Sequence, residues 1–316
     1  GQFFDQMAPR LAATSAGQSA SHWHDAMESL LNDLSRPASS DDHSHPSITF
    51  VSAGPGDPDL LTVKARKALH AAEVVLYDRL VSPAIMELAR REATLIEVGK
   101  TGFGQAMPQA EIHRLLILHG QTGAKVVRLK SGDAGIYGRL DEEIKACDDA
   151  GLSHQVIPGI TSAVAASAEM GVSLTRRGRN SELRYLTARD MRGFADYQWQ
   201  DLAEAGSVAA IYMGLRAMPY VQGRLLMHGA DPATPVTLAA RVSQPDQRLI
   251  ATTLGAAVSA AEAEQLSGPV VIMLGLSPHH SVAATWINED KALCPSSPQS
   301  VITSAAGEAS PQRISA

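Results

Sequence analysis

Between Ser47 and Ile157, short apolar runs alternate with segments of helical spacing, and this alternation restricts the fold more than any other feature. Ser47–Ser52, Glu73–Tyr77, Thr94–Val98, Lys125–Leu129 and His154–Ile157 read as strands. Leu60–Ala71, Pro83–Arg90, Pro108–His119 and Arg139–Ala150 read as the helices between them. Strand and helix in strict turn predict a mostly parallel sheet with helices on both faces. After a further helix, Ala163–Met170, the pattern changes. Leu183–Thr187, Ser207–Tyr212, Val236–Ala240, Arg248–Thr252 and Val270–Leu274 read as strands, with helices Arg216–His228 and Leu254–Glu264. Some of these strands lie close enough in sequence to pair antiparallel, which predicts a second, mixed-sheet α/β domain. The expected division is a helical remnant and linker over 1–46, an α/β domain over 47–159, a second over 160–283 and a disordered tail over 284–316.

The chain has 316 residues, 45% of them hydrophobic, enough to bury a core in each of two domains. Its formal net charge of −6 argues against a general nucleic-acid binder. No apolar run is long enough to span a membrane. The two cysteines, Cys147 and Cys294, form no CxxC pair, so neither a disulfide framework nor a structural metal site is expected, and a cytoplasmic setting fits. His22-Trp23-His24 and His279-His280 are read as ordinary histidines, with no metal expected at either. Met218 and Met227 are read as core.

In open α/β sheets, ligands bind beyond the carboxyl ends of the strands. The predicted strands of the first domain are followed by Ala53-Gly54-Pro55-Gly56-Asp57, Asp78-Arg79, Gly99-Lys100, Ser131-Gly132-Asp133 and Pro158-Gly159-Ile160-Thr161-Ser162. Each is ordinary turn chemistry alone; together they line one sheet edge. The first is neither GxGxxG nor a P-loop and by itself is a strand-to-helix turn. Asp78 alone reads as a turn carboxylate paired with Arg79, and Lys100 as a solvated lysine. Arg176, Arg177, Arg179, Arg184, Arg189 and Arg192 form a basic stretch whose planar cations suit carboxylates.

GPGDPDLLT, LYDRLVS, EVGK, PQAEI, VVRLKSGD, IYGR, DEE, PGITSA, SLTRR and IYMGL follow one another from Ile48 to Leu276. In this order and spacing the chain resembles the uroporphyrinogen-III C-methyltransferases of the tetrapyrrole methylase family. The resemblance implies a two-domain fold with S-adenosyl-L-methionine in the cleft. Its contacts would be Pro55, Ser131, Gly132, Asp133, Ile136, Thr161, Ser162, Met213 and Val242. It implies Asp78 as proton acceptor, Lys100 as proton donor, and Arg139 and Arg177 as partners of a tetrapyrrole's carboxylates. A homodimer is implied as well. The expected reaction is methylation of uroporphyrinogen III at C2 and C7 to precorrin-2, with S-adenosyl-L-homocysteine released. A later precorrin methyltransferase of cobalamin synthesis and a non-catalytic binding module are the other readings.

Some positions depart from the family pattern. Ser131 and Val242 stand where glycines are common, Ala134-Gly135 replaces Pro-Phe, Leu140-Asp141 replaces Gly-Gly, and Thr101 replaces an arginine. Gln2–Leu34 resembles the tail of the dehydrogenase/chelatase module that precedes the methyltransferase in fused siroheme synthases, so the chain is expected to be the C-terminal part of such a fusion.

Overall fold

The computed structural model describes residues 46–99, 107–190 and 193–279. The first half is an all-parallel five-stranded sheet, in the order β3-β2-β4-β1-β5. Its strands are β1 (Ile48–Ser52), β2 (Val74–Tyr77), β3 (Thr94–Glu97), β4 (Val126–Lys130) and β5 (His154–Ile157). The central strands β1 and β4 are buried along their whole length; β1 reads as a near-continuous apolar run, whereas β4 carries Arg128 and Lys130 among its apolar residues.

Helices α1 (Val63–Ala71) and α2 (Pro83–Met86) cover one face, where Leu69 and Ile85 meet Val51, Val75, Val127 and Leu129. Helices α3 (Gln109–Gly120) and α4 (Leu140–Asp149) cover the other, where Ile112, Leu116 and Cys147 meet Ile48, Phe50, Leu76 and Val126. The adjacent strands β1 and β4 therefore send the chain to opposite faces. That arrangement opens a crevice at their carboxyl ends.

The second half is a mixed sheet in the order β11-β10-β12-β9-β6. Its strands are β6 (Arg184–Thr187), β9 (Ala209–Tyr212), β10 (Pro235–Ala240), β11 (Arg248–Thr253) and β12 (Val270–Leu274). Only β6 and β9 run parallel; the other pairings are antiparallel. Helix α5 (Ser162–Glu169) packs Ala163 and Ala166 on one face of this sheet. The opposite face is covered by α6 (Trp199–Ala203), α7 (Met218–Met227) and α8 (Ala257–Ala263), through Leu202, Leu225 and Ala261.

The expected two-part α/β architecture is observed. Pro83–Arg90 forms a helix only as far as Met86, and the helix expected from Leu60 begins at Val63, after a separate 3-10 turn, Pro58–Leu60. The hairpin of β7 (Arg189–Asp190) and β8 (Gly193–Phe194), and the short α6, were not expected. Met218 is core, but Met227 is 79% exposed at the end of α7, a correction to its expected burial. Residues 1–45 and 280–316, with the expected linker, tail and His22–His24 pair, lie outside the described residues, as do Lys100 and Thr101.

Candidate functional site

The loops after β1 and β4 are stitched to each other. Gly54 N–H donates to the Gly132 carbonyl (3.0 Å) and Gly132 N–H to the Gly54 carbonyl (2.7 Å). Both glycines have positive φ, 71° and 68°, which they adopt without a Cβ penalty. Ser131 is not among the positive-φ residues, so a serine in place of the family glycine costs the backbone nothing. A Cβ placed on Gly132 would meet nothing within 4 Å, so this loop borders open space.

Asp133 fastens these loops to the one after β5. Its Oδ2 accepts from Gly159 N–H (2.9 Å) and its Oδ1 from Gly135 N–H (2.8 Å). Gly159 has no room for a side chain, since its Cβ would lie 2.6 Å from Ser52 Cβ. The Val51–Thr62 segment is fixed by local caps. Asp57 accepts from Asp59 N–H (2.8 Å), and Thr62 caps α1 through Ala65 N–H (3.1 Å). From the second half, Gln244 Nε2 donates to the Pro55 carbonyl (3.4 Å).

Aromatic side chains close the other side. Tyr137 O–H donates to the Tyr185 carbonyl of β6 (2.6 Å) and its ring packs on Tyr212 at 5.3 Å. The Tyr212 hydroxyl and Thr161 Oγ1 are hydrogen-bonded at 2.6 Å, at the start of α5. Burial raises the Tyr212 phenol above its ordinary value, against the opposing hydrogen bonds of Thr161, the Ala163 backbone and Ser162. Ile136 is half-buried and Met213 is 51% exposed. Val242 is different: its side chain is buried against α5 in the core.

Backbone strain gathers in the same loops. Among the described residues, Tyr137, Arg139, Met213, Arg241 and Ser243 are non-glycine residues at positive φ in the loops after β4, β9 and β10, and Gln265 is the one elsewhere. Such conformations cost about 1–3 kcal/mol each and concentrate at functional sites.

Asp78, after β2, is 32% exposed in its side chain. It pairs with Arg128 rather than the Arg79 expected of a simple turn: Arg128 Nη2 donates to Asp78 Oδ1 at 2.6 Å. Arg128 lies on the α3/α4 face of β4, with 1% of its side chain exposed. Its Nε and Nη2 donate to Glu143 of α4 at 3.0 and 3.1 Å. Lys130 Nζ donates to the same Glu143 at 2.7 Å, and Gln109 Nε2 at 3.2 Å.

Burial works against all three charges, with different results. The Asp78 and Glu143 carboxylates hold the Arg128 guanidinium above its ordinary value despite burial. Burial and then the Arg128 charge pull the Lys130 ammonium down, Glu143 notwithstanding. Glu143 is held low, because Arg128 and Lys130 outweigh its burial.

This cluster was not anticipated from sequence, although a signal existed. Arg128 and Lys130 share one face of a strand whose other residues are all apolar, and a strand buried on both faces leaves such charges no route to water.

The expected tetrapyrrole-binding arginines are placed less tightly. Arg139 caps α4 with φ 55° and donates twice to Glu142, at 2.8 and 2.6 Å. Arg177 is exposed in a turn organised by Asn180, which accepts from Arg176 N–H (3.2 Å) and Arg179 Nε (2.9 Å). Among the described residues no cluster of three or more His, Cys, Asp or Glu could hold a metal ion, and no helix is long and apolar enough to cross a membrane.

The sequence profile of the Tetrapyrrole (Corrin/Porphyrin) Methylases matches residues 47–258. Siroheme synthases from Azotobacter vinelandii and Hahella chejuensis are 43% and 41% identical to this chain over 228 residues, 72% of it and 49% of each relative. The chain thus spans about half the length of the curated relatives it matches. Uroporphyrin-III C-methyl transferase from Thermus thermophilus, solved with S-adenosyl homocysteine, superposes with a TM-score of 0.61 at 32% identity, over 75% of this chain and 93% of that one. A cobalt precorrin-4 methyltransferase gives a TM-score of 0.66 at 27% identity, over 72% and 94%.

Proposed function

Because this chain belongs to the tetrapyrrole methylase family, we propose that it transfers methyl groups from S-adenosyl-L-methionine to C2 and C7 of uroporphyrinogen III, giving precorrin-2. The observation that carries this reading is the carboxyl edge of the parallel sheet. There a glycine-stitched, strained loop pair borders open space beside an ion-paired Asp78. The relatives named siroheme synthase and the 32% identical methyltransferase favour this substrate over cobalt-precorrin-4.

We assign Pro55, Ser131, Gly132 and Asp133 to the donor's polar groups, and Ile136 and Met213 to its apolar ones. Thr161 and Ser162 offer hydroxyls at the start of α5. Val242, with its side chain in the core, meets the donor through its backbone. The residues suit such a ligand: a largely pre-formed pocket with few placed polar atoms. S-adenosyl-L-methionine, when bound, supplies an electrophilic methyl group on a sulfonium sulfur. The chain's part is alignment of the reacting carbon and removal of the proton that the macrocycle then loses from a neighbouring atom, because the methylated carbon itself carries no hydrogen. We assign the latter to Asp78, held in place by Arg128, with Lys100 as the proton donor. Arg177 and Arg139 take substrate carboxylates. Arg139 does so by releasing Glu142, a cheap exchange because exposed ion pairs are worth about 0–1 kcal/mol.

We further propose a homodimer in the cytoplasm, and a division between the halves at Gly159–Ile160. Purified protein incubated with the methyl donor and uroporphyrinogen III, or with cobalt-precorrin-4, tests the reading by product mass. Gain of two methyl groups on uroporphyrinogen III is expected. No incorporation while the donor is bound, or incorporation into cobalt-precorrin-4 alone, would overturn it.

A further inference from the structure

We propose that Glu143 is a positioning residue for methyl transfer: through Arg128 it fixes Asp78 at the sheet edge. This rests on the reading above, in which Asp78 acts on the substrate. Glu143 sits in the first turn of α4 beside Asp141 and Glu142, which are exposed, whereas Glu143 is 1% exposed. Asp141 and Glu142 already supply the negative charge that favours a helix N-terminus, so Glu143 is not needed for that.

Its carboxylate takes four hydrogen bonds, two from Arg128 and one each from Lys130 and Gln109. The Arg128 guanidinium is thereby oriented from one side by Glu143, and its Nη2 is aimed at Asp78. Two further bonds, from Nη1 to the Leu129 and Leu76 carbonyls, are longer, at 3.2 and 3.5 Å, and hold only the other amino group. With all four groups ionised, Asp78 and Glu143 balance Arg128 and Lys130. Lys130 packs beside Gly138, where an added Cβ would lie 3.1 Å from its Cε. Without the Glu143 charge, two buried cations would face Asp78 alone and repel each other.

Stability does not explain the arrangement, because buried ion clusters are often no more stable than apolar residues of equal volume. Cys147, one turn along α4, registers the same charge: burial, then Glu143 and Asp148, push its thiol up to about 11.

The test compares Glu143→Gln with the charge-balanced pair Glu143→Gln/Lys130→Met. Glu143→Gln is expected to lower kcat by about 100-fold, with KM for the methyl donor within about threefold of wild type, as a misplaced catalytic group does. Restoring the charge balance in the pair is expected to recover at least about tenfold of that loss, which a merely structural defect would deepen instead. Side-chain NMR of the protein without donor or substrate gives a second readout. The Arg128 Nε–H and Asp78 carboxyl-carbon resonances are expected sharp in wild type, broadened in Glu143→Gln and sharpened again in the pair.

A kcat within twofold of wild type in Glu143→Gln, or unchanged resonances, would overturn the proposal. So would a pair no more active than Glu143→Gln. If Glu143→Gln does not fold, the pair alone carries the test: sharp resonances with kcat within about tenfold of wild type support the proposal, and anything less overturns it. If the wild-type protein transfers no methyl group to uroporphyrinogen III, the functional reading falls, while the resonances still decide whether Glu143 holds Arg128 and Asp78.

Discussion

The two sheets solve the same packing problem with different chemistry. The strands of the parallel sheet bury Thr49, Ser52, Arg128 and Lys130 beside their apolar residues, whereas the described strands of the mixed sheet bury one polar side chain, Thr237. Thr237 is satisfied by a single hydrogen bond to the Leu276 carbonyl at 2.9 Å. Arg128 and Lys130 need the Glu143 carboxylate and, for Arg128, Asp78. The mixed sheet is a wall that contributes its loop ends and aromatic rings. The parallel sheet carries charge through its centre to the edge where Asp78 stands.

This contrast can be broken most forcefully at Arg128. Arg128→Met leaves Asp78 and Glu143 facing one another with Lys130 alone between them, and is expected to cost about 4 kcal/mol in chemical denaturation. Leu238→Ala, at a fully buried position of the mixed sheet, is expected to cost about 3 kcal/mol by leaving a cavity. The two should separate in function. Leu238→Ala is expected to keep the methyl-donor affinity of wild type in calorimetry, and Arg128→Met to lose turnover even where it is folded. Equal loss of turnover in both would erase the distinction between wall and site.

Asp133→Ala removes two charge-assisted hydrogen bonds, one to the loop after β5 and one within its own loop, and is expected to cost about 2 kcal/mol and weaken donor binding.

A smaller effect depends on pH. The folded pKa of Glu143 is lowered from 4.5: burial raises it, but the Arg128 and Lys130 charges prevail. Folding therefore binds fewer protons in the window below pH 4.5. The contribution of Glu143 is fully present above that value and is lost as pH falls through its folded pKa. Thermal melts are expected to show a steeper fall in Tm below pH 4.5 for wild type than for Glu143→Gln, and parallel curves would contradict this. Least of all, Arg177→Ala is expected to change stability by less than about 0.5 kcal/mol, while raising KM for the tetrapyrrole.

Much of this was legible in the chain. His154–Ile157 and Val270–Leu274 form strands with the bounds expected of them. The loop residues Gly54, Asp78, Gly132 and Asp133 do come together on one edge, because parallel strands put all their carboxyl ends there. What escaped notice depended on tertiary contact. The β7–β8 strands have two residues each, too few for any alternation to register. Glu143 follows two exposed acids and resembles them in sequence; only the packing of α4 on β4 separates it from them. Met227 has the apolarity of a core residue but falls on the outer side of α7.

The most direct measurement is methyl transfer to uroporphyrinogen III by Asp78→Asn, alongside calorimetric binding of S-adenosyl-L-homocysteine. The variant keeps the shape of the residue at the sheet edge and removes its charge. The expected result is turnover lower by about 100-fold or more with cofactor affinity within twofold of wild type. Wild-type turnover in Asp78→Asn would contradict the assignment of the chemistry to the carboxyl edge of the parallel sheet.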